Sequence, residues 1–288
     1  MPLFIVTDLD GTLLDSKTYD VGPARDVLVR VTQAGIPLVL CSSKTRAEIE
    51  ALQKRLAIHH PFIAENGGAI VAPLGYFDHV PADAVIDGGR FVLALGRPYP
   101  EVVNALREVA ASERVRVVGF SDMTVGDVAE ECGLPVLEAQ LAKLREYDEP
   151  FRFLDPDPSA RSRFLKALHR RGLRALSGGR FEHVTGDTDK GRAVALLRTL
   201  FPDRLGNVVM AGLGDGLNDV SMLREVDIPV IVRSDLNGAT GRMLRKVPTA
   251  RVTSACGPAG WAEAVTSLLD GWREPQPSGW ARYWPGRA

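Results

Sequence analysis

The sequence predicts an α/β protein, a parallel sheet covered by helices on both faces, with a second α+β domain inserted into it. Three observations point there. Short apolar runs alternate with amphipathic helical segments in the first third of the chain and again after residue 189. Acidic and hydroxyl residues cluster just after those runs, where parallel sheets bind ligands. Between the two stretches, over residues 82–186, strand-like segments abut one another and the rhythm changes.

In chain order, "LFIVT" (3–7) is a first buried strand. Ala24, Val27, Leu28 and Val31 recur at helical spacing within 23–34, with Pro23 suited to a first turn. "IPLVLC" (36–41) is a second strand, and "TRAE" (45–48) has capping-box spacing before a helix that turns Ile49, Leu52 and Leu56 inward. "PFIAENGGAIV" (61–71) reads as strand, glycine turn and strand. In the middle, strands are expected over 90–96, 115–120, 151–155, 174–178 and 180–186, with helices near 101–112, 125–132, 136–146 and 159–171. Then Lys190, Ala193, Leu196, Leu197 and Leu200 mark a helix, "NVVMAGLGDG" (207–216) a strand ending in a glycine-rich loop, and "IPVIV" (228–232) another strand. A helix near 258–270 precedes a Pro- and Trp-rich tail, 272–288, expected to pack on the body or on a neighbouring subunit. The resulting division is residues 1–81 and 187–288 for the parallel-sheet domain and 82–186 for the insertion.

Composition narrows the function. The 35 Lys+Arg against 36 Asp+Glu leave no basic field, which argues against a nucleic-acid partner. Cys41, Cys132 and Cys256 are odd in number and far apart, unlike a disulfide framework or zinc cluster, and suit a reducing compartment. No apolar run reaches the ~18 residues of a membrane span and no leader precedes the first strand, so a cytoplasmic location is expected. An oligomer is possible but not predicted.

"DLDGTLLD" (8–15) follows the first strand. Were Asp8 and Asp10 on one face of an extended segment, they would stand ~6.6 Å apart and repel by about 2.5 kcal/mol at an effective dielectric near 20. "GDGLND" (214–219) adds Asp215 and Asp219 after a later strand, and its glycines let backbone approach a ligand. Such a crowd of carboxylates calls for a positive partner. A hard divalent cation such as Mg2+ takes oxygen ligands and keeps places for waters and a phosphate; Asp8, Asp215 and a backbone carbonyl near Asp10 would suffice. Lys190, in a first helical turn, opposes the helix dipole at a cost of roughly a few tenths of a kcal/mol, a sign that a bound anion would reverse. Ser42 and Ser43 follow the second strand.

The ordered set DxDGT, Ser, Lys and GDGxND resembles the haloacid dehalogenase-like phosphohydrolases, whose first motif "DLDGTLLD" matches throughout. The resemblance implies a Rossmann-like core with a cap domain, and a phosphatase that uses Mg2+ and an aspartyl-phosphate intermediate. Asp8 would attack phosphorus, while Asp10 would protonate the leaving oxygen and then deprotonate water. Asp8, Asp10 and Asp215 would hold the metal, with Asp219 steadying them from behind, and Ser42, Ser43 and Lys190 would bind phosphate. Relatives with this layout carry a Thr-Gly-Arg-like triplet where this chain has "CSSKT" (41–45), so Ser42 aligns with the hydroxyl, though the spacing also admits Ser43. For Asp10 to act as an acid at neutral pH its affinity for a proton must rise, a push expected from the neighbouring negative charge.

"SSKTRAEIE" (42–50), "ENGGAI" (65–70), "REYDEPF" (145–151) and "GGRFEHVTG" (178–186) resemble the mannosyl-3-phosphoglycerate phosphatase branch of that family. That branch implies hydrolysis of a phosphorylated sugar-glycerate to mannosylglycerate, a compatible solute. Arg145 and Arg180 are then candidates to grip the substrate carboxylate as planar forks, and Glu149 and Asn66 to bind sugar hydroxyls. His183, alternating with Phe181, reads as structural. The alternatives are a sucrose-phosphate or general sugar-phosphate phosphatase, a phosphomannomutase-like phosphotransferase using the same motifs, and a silent binding protein, which the intact carboxylates disfavour.

Overall fold

The computed structural model describes residues 2–154, 157–178, 181–201, 208–234 and 238–272. Its strands are β1 (Leu3–Thr7), β2 (Leu38–Cys41), β3 (Phe62–Ala64), β4 (Ala69–Pro73), β5 (Val85–Asp87), β6 (Arg90–Ala94), β7 (Val117–Gly119), β8 (Asp148–Phe153), β9 (Arg174–Ser177), β10 (Glu182–Thr185), β11 (Val209–Gly214), β12 (Ile228–Arg233) and β13 (Arg251–Cys256). One sheet runs β13-β12-β11-β1-β2-β3-β4-β6-β5, and a second runs β7-β8-β10-β9. In the first, β13, β12, β11, β1, β2 and β3 are parallel, whereas β4, β6 and β5 join antiparallel. The second sheet is antiparallel throughout. The α/β class with an inserted antiparallel-sheet unit thus holds.

β1 shows why its sequence is an unbroken apolar run. Leu3 and Ile5 belong to the hydrophobic cluster that contains Trp261 and Val265, while Phe4 and Val6 belong to the one with Leu197 and Phe201. Both faces are covered, so alternation disappears. The chain leaves β1 for β2 on one side and returns to β11 on the other. This reversal opens a crevice beyond the carboxyl ends of β1, β2 and β11, where a ligand can enter.

Three features differ from the sequence reading. The strand expected within the insertion at 90–96 is β6, which pairs with β4 in the large sheet: Ile70 faces Leu93 and Val71 faces Val92. Its apolar residues find partners across that sheet, a choice that strand pattern alone cannot make. β13 and the helix Ala239–Lys246 were not foreseen. β13 is an edge strand with mostly exposed residues and so carries little apolar signal. Finally, β1 ends at Thr7, so Asp8 and Asp10 do not share an extended segment; Asp10 lies in a turn closed by the Thr12 and Leu14 amides, which donate to the Leu9 carbonyl. Of the tail, only Trp272 is described, partly buried against the core, and the remainder of 272–288 lies outside the described residues.

Candidate active site

Asp8 is set in place from three directions. Its amide donates to the Leu213 carbonyl of β11 at 2.9 Å. Its own carbonyl accepts from the Thr7 hydroxyl at 2.8 Å, and that hydroxyl accepts the indole N–H of fully buried Trp261 at 3.0 Å. Trp261 lies in the helix Gly257–Gly271, far along the chain, and sequence reasoning did not connect it to Asp8.

Lys190 is the first residue of the helix Lys190–Thr199, capped by Asp189, whose carboxylate accepts the Arg192 amide. Wholly buried, it donates to Asp8 Oδ1 at 2.5 Å and to Asp219 Oδ1 at 2.6 Å. Asp219 Oδ2 accepts the amides of Asp215 and Gly216 at 3.1 and 2.9 Å. Both Asp219 oxygens are therefore occupied by the chain itself, and the carboxylate shapes the loop that carries Asp215. A Cβ on Gly214 would stand 2.6 Å from the Asp219 carboxylate, so the loop closes only around glycine.

Asp8, Asp215 and Asp219 present carboxylate oxygens within 4.8 Å of one another. Burial and the Asp219 charge lift the Asp8 carboxyl to about 7, against the pull of Lys190. Asp215 is pushed well above the usual carboxylate range by burial and then by Asp8 and Asp219, against the Thr12 hydroxyl, 3.2 Å away, and Lys190. Burial opposes the charge on Lys190, but Asp219 and Asp8 more than offset it. Three acids around one ammonium remain short of positive charge. Asp10 Oδ1 is buried with no hydrogen-bond partner among the described residues, and Gly11 has space for no side chain, since a Cβ would meet Asp215 Oδ2 at 2.5 Å. Oxygen donors of this kind, crowded and under-neutralised, fit a hard divalent cation.

Ser42 is buried beyond β2, its hydroxyl accepting the Lys44 amide at 3.2 Å, and the Ser43 carbonyl accepts from Arg145 at 2.9 Å. Besides the expected negative charge of Asp8, the Asp10 carboxylate has a cation beside it: Lys44 Nζ lies 3.0 Å from Asp10 Oδ2 and 3.5 Å from Glu48 Oε1. Glu48 also closes the expected capping box with Thr45. The sequence assigns Lys44 no role; its position just before a helix N-terminus, where a cation is disfavoured, is the signal it offers.

The residues picked as substrate readers have other partners. Arg145 is buried and held by Asp148, through Nε to the carbonyl at 2.5 Å and a second nitrogen to Oδ1 at 2.7 Å. Glu149 accepts from the Tyr99 hydroxyl at 2.7 Å and the Ser121 amide at 2.9 Å. Asn66 donates to Asp148 Oδ2 at 2.7 Å and accepts from Asn218 at 3.2 Å. His183 Nδ1 lies 2.9 Å from Asp148 Oδ1. Arg180 lies outside the described residues. The geometry therefore makes Arg145, Asn66 and Asp148 one buried network joining the second sheet to the loop of Asp215, instead of a set of free forks.

Glu65, unassigned from sequence, anchors the same junction. It accepts the amides of Glu146 at 2.9 Å, Tyr147 at 2.8 Å and Asp148 at 2.9 Å. Burial lifts its carboxyl to about 7, against Arg145 and these amides. Glu65, Asn66 and Gly67 all have positive φ (48°, 55° and 94°). Gly67 is required there, because a Cβ would sit 2.2 Å from the Asp189 carbonyl, at the start of the Lys190 helix.

A family model described as haloacid dehalogenase-like hydrolase matches residues 5–79. Over 93% of this chain, and 98% of the relative, the sequence is 39% identical to a glucosyl-3-phosphoglycerate/mannosyl-3-phosphoglycerate phosphatase of Methanococcoides burtonii. It is 36% identical, over 93% of the chain and 97% of the relative, to a protein of the same name from Persephonella marina. Among solved structures, a Thermoplasma acidophilum protein superposes with a TM-score of 0.63 at 18% identity, covering 94% of this chain and 99% of that one. A haloacid dehalogenase-like hydrolase from Bacteroides thetaiotaomicron does so with a TM-score of 0.63 at 19% identity, covering 93% and 100%. At such identities these structures speak for the fold alone.

Proposed function

The chain belongs to the haloacid dehalogenase-like hydrolases, and from that premise we propose a phosphoric monoester hydrolase acting on mannosyl- or glucosyl-3-phosphoglycerate. The observation that carries the chemistry is the contact of Lys190 with Asp8 inside the ring of Asp215 and Asp219. The substrate class rests on the two relatives, matched over nearly their whole lengths.

Asp8, Asp215 and the Asp10 carbonyl would hold Mg2+, with Asp219 bracing Asp215 through the loop amides. When bound, the cation supplies Lewis-acid neutralisation of the phosphoryl oxygens and of the carboxylates around them. An Asp8 oxygen attacks phosphorus, forming an acyl phosphate as the bond to the leaving oxygen breaks. Asp10 gives that oxygen its proton. In the second step Asp10 takes a proton from water, whose oxygen attacks the same phosphorus; the bond to Asp8 breaks and inorganic phosphate leaves. Lys190 favours the ionised form of Asp8 and draws phosphate oxygens toward it, while the hydroxyl and amides of Ser42 and Ser43 hold the others. Tethering the nucleophile in line removes much of the entropic cost of attack.

Among the described residues no helix is long and apolar enough to cross a membrane. Cys41 and Cys132 are buried thiols outside any disulfide, in agreement with a reducing, cytoplasmic setting. The test is a phosphate-release panel of mannosyl- and glucosyl-3-phosphoglycerate, sucrose phosphate and hexose phosphates, with Mg2+ and with a chelator. Release confined to the sugar-phosphoglycerates and lost with the chelator is expected. Isomerised sugar phosphate without free phosphate would instead make the protein a phosphotransferase.

A further inference from the structure

Two lysines meet the two N-terminal aspartates separately: Lys190 partners Asp8, the nucleophile of the proposed mechanism, and Lys44 partners Asp10, its acid toward the leaving oxygen. We propose that Lys44 is the residue that binds the carboxylate of the leaving group and so selects phosphoglycerate esters over neutral sugar phosphates. The inference rests on the substrate class proposed above. Of the two arginines expected there, Arg145 is already held through Nε and one terminal nitrogen by Asp148 and the Ser43 carbonyl, and Arg180 lies outside the described residues.

The surroundings of Lys44 support this role. Its ammonium meets Asp10 at 3.0 Å, Glu48 at the longer distance of 3.5 Å, and the face of the Tyr19 ring at 4.8 Å from the centroid. A charge-assisted hydrogen bond to a carboxylate is stronger than the ring contact, so an incoming ligand can take that third side. Lys44 also borders a cavity of about 170 Å³ between the helix Arg46–Leu56 and the inserted helix Val136–Ala142. Glu48, Arg55, Glu138 and Leu141 line the same space, giving it a mixed polar and apolar wall suited to a sugar ring. The two helices are tied across it by the Thr45 hydroxyl donating to the Leu141 carbonyl at 2.9 Å and by Arg55 with Glu138 at 3.8 Å. In a 3-phosphoglycerate ester the carboxylate carbon is only three bonds from the ester oxygen. A group that reaches Asp10 therefore reaches the carboxylate of a substrate whose ester oxygen Asp10 serves.

The experiment compares wild type, Lys44→Met and Lys44→Arg on a sugar-phosphoglycerate and on p-nitrophenyl phosphate, which lacks a carboxylate. Lys44→Met should lower kcat/KM for the phosphoglycerate about 100-fold, mainly through KM, and at least tenfold more than for the aryl phosphate. Lys44→Arg should recover part of the loss. Equal losses on both substrates would mean that Lys44 acts only through Asp10 and would overturn the proposal, as would no loss. A second readout is inhibition of aryl phosphate hydrolysis by the dephosphorylated glycosylglycerate and by its methyl ester. The acid should inhibit wild type better than the ester, and Lys44→Met should lose that preference; a preserved preference refutes the role. If wild type hydrolyses the aryl phosphate but neither phosphoglycerate, the substrate assignment itself fails, and this inference with it.

Discussion

Lys190 Nζ stands 2.5 Å from Asp8 Oδ1, joining residues 182 positions apart in a pocket where neither is more than marginally exposed. Among the described residues, the ammonium is the one positive charge in direct contact with the acids of the metal-like cluster, and the loop of Asp215 is built around the same contact through Asp219. Removing it leaves buried carboxylates without a counter-charge. Lys190→Met should destabilise the metal-free protein by about 3–5 kcal/mol. Added Mg2+ should raise the Tm of the variant by more than it raises that of wild type, measured by calorimetry at pH 7.5. Equal increments would mean that Lys190 and the metal do not share the burden.

Asp8→Asn removes the nucleophile while keeping its size and one acceptor oxygen. Phosphate release should fall by at least about a thousandfold. Binding of a sugar-phosphoglycerate, followed by isothermal calorimetry with Mg2+ present, should persist. Substantial turnover by this variant would assign the attack to another group.

Glu65 gives a pH dependence of stability whose sign is determined by burial. Its folded carboxyl titrates at about 7, above the ordinary 4.5, so the folded state binds the proton more tightly than the unfolded chain. Its contribution is therefore fully present below about pH 4.5 and is lost as pH rises toward 7, a swing of up to about 3 kcal/mol. In Glu65→Gln that swing should vanish. The difference in Tm between variant and wild type, taken from pH 4.5 to 8, should shift steadily in favour of the variant. A constant difference would show that the surrounding amides and Arg145 keep Glu65 ionised throughout.

Gly67 and Gly75 both have positive φ, 94° and 78°, but only Gly67 faces backbone. Gly75→Ala should cost about 1 kcal/mol for the conformation alone. Gly67→Ala must also displace the Asp189 carbonyl, and should cost at least about 2 kcal/mol more in chemical denaturation. Because that carbonyl begins the Lys190 helix, its kcat should fall too. Similar stabilities for the two variants would mean that the loop yields freely.

The motif residues were legible in the sequence because their placement is local. An apolar run ending in Asp8, a capping box at Thr45 and Glu48, and a glycine loop before Asp219 each encode strand, helix or turn within a few residues. Parallel topology then brings such strand ends to one edge. What the chain could not announce was which distant group each charge would meet. Arg145 and Asn66 have the chemistry of substrate readers, yet packing gives both to Asp148, while Lys44 gains its place only because Asp10 and Glu48 converge on it. β6 likewise has the pattern of any buried strand and found its partner in β4. Side-chain type and spacing specify what a segment can do; the low-dielectric contacts made between segments far apart in the chain decide which of those capacities remain free for a ligand.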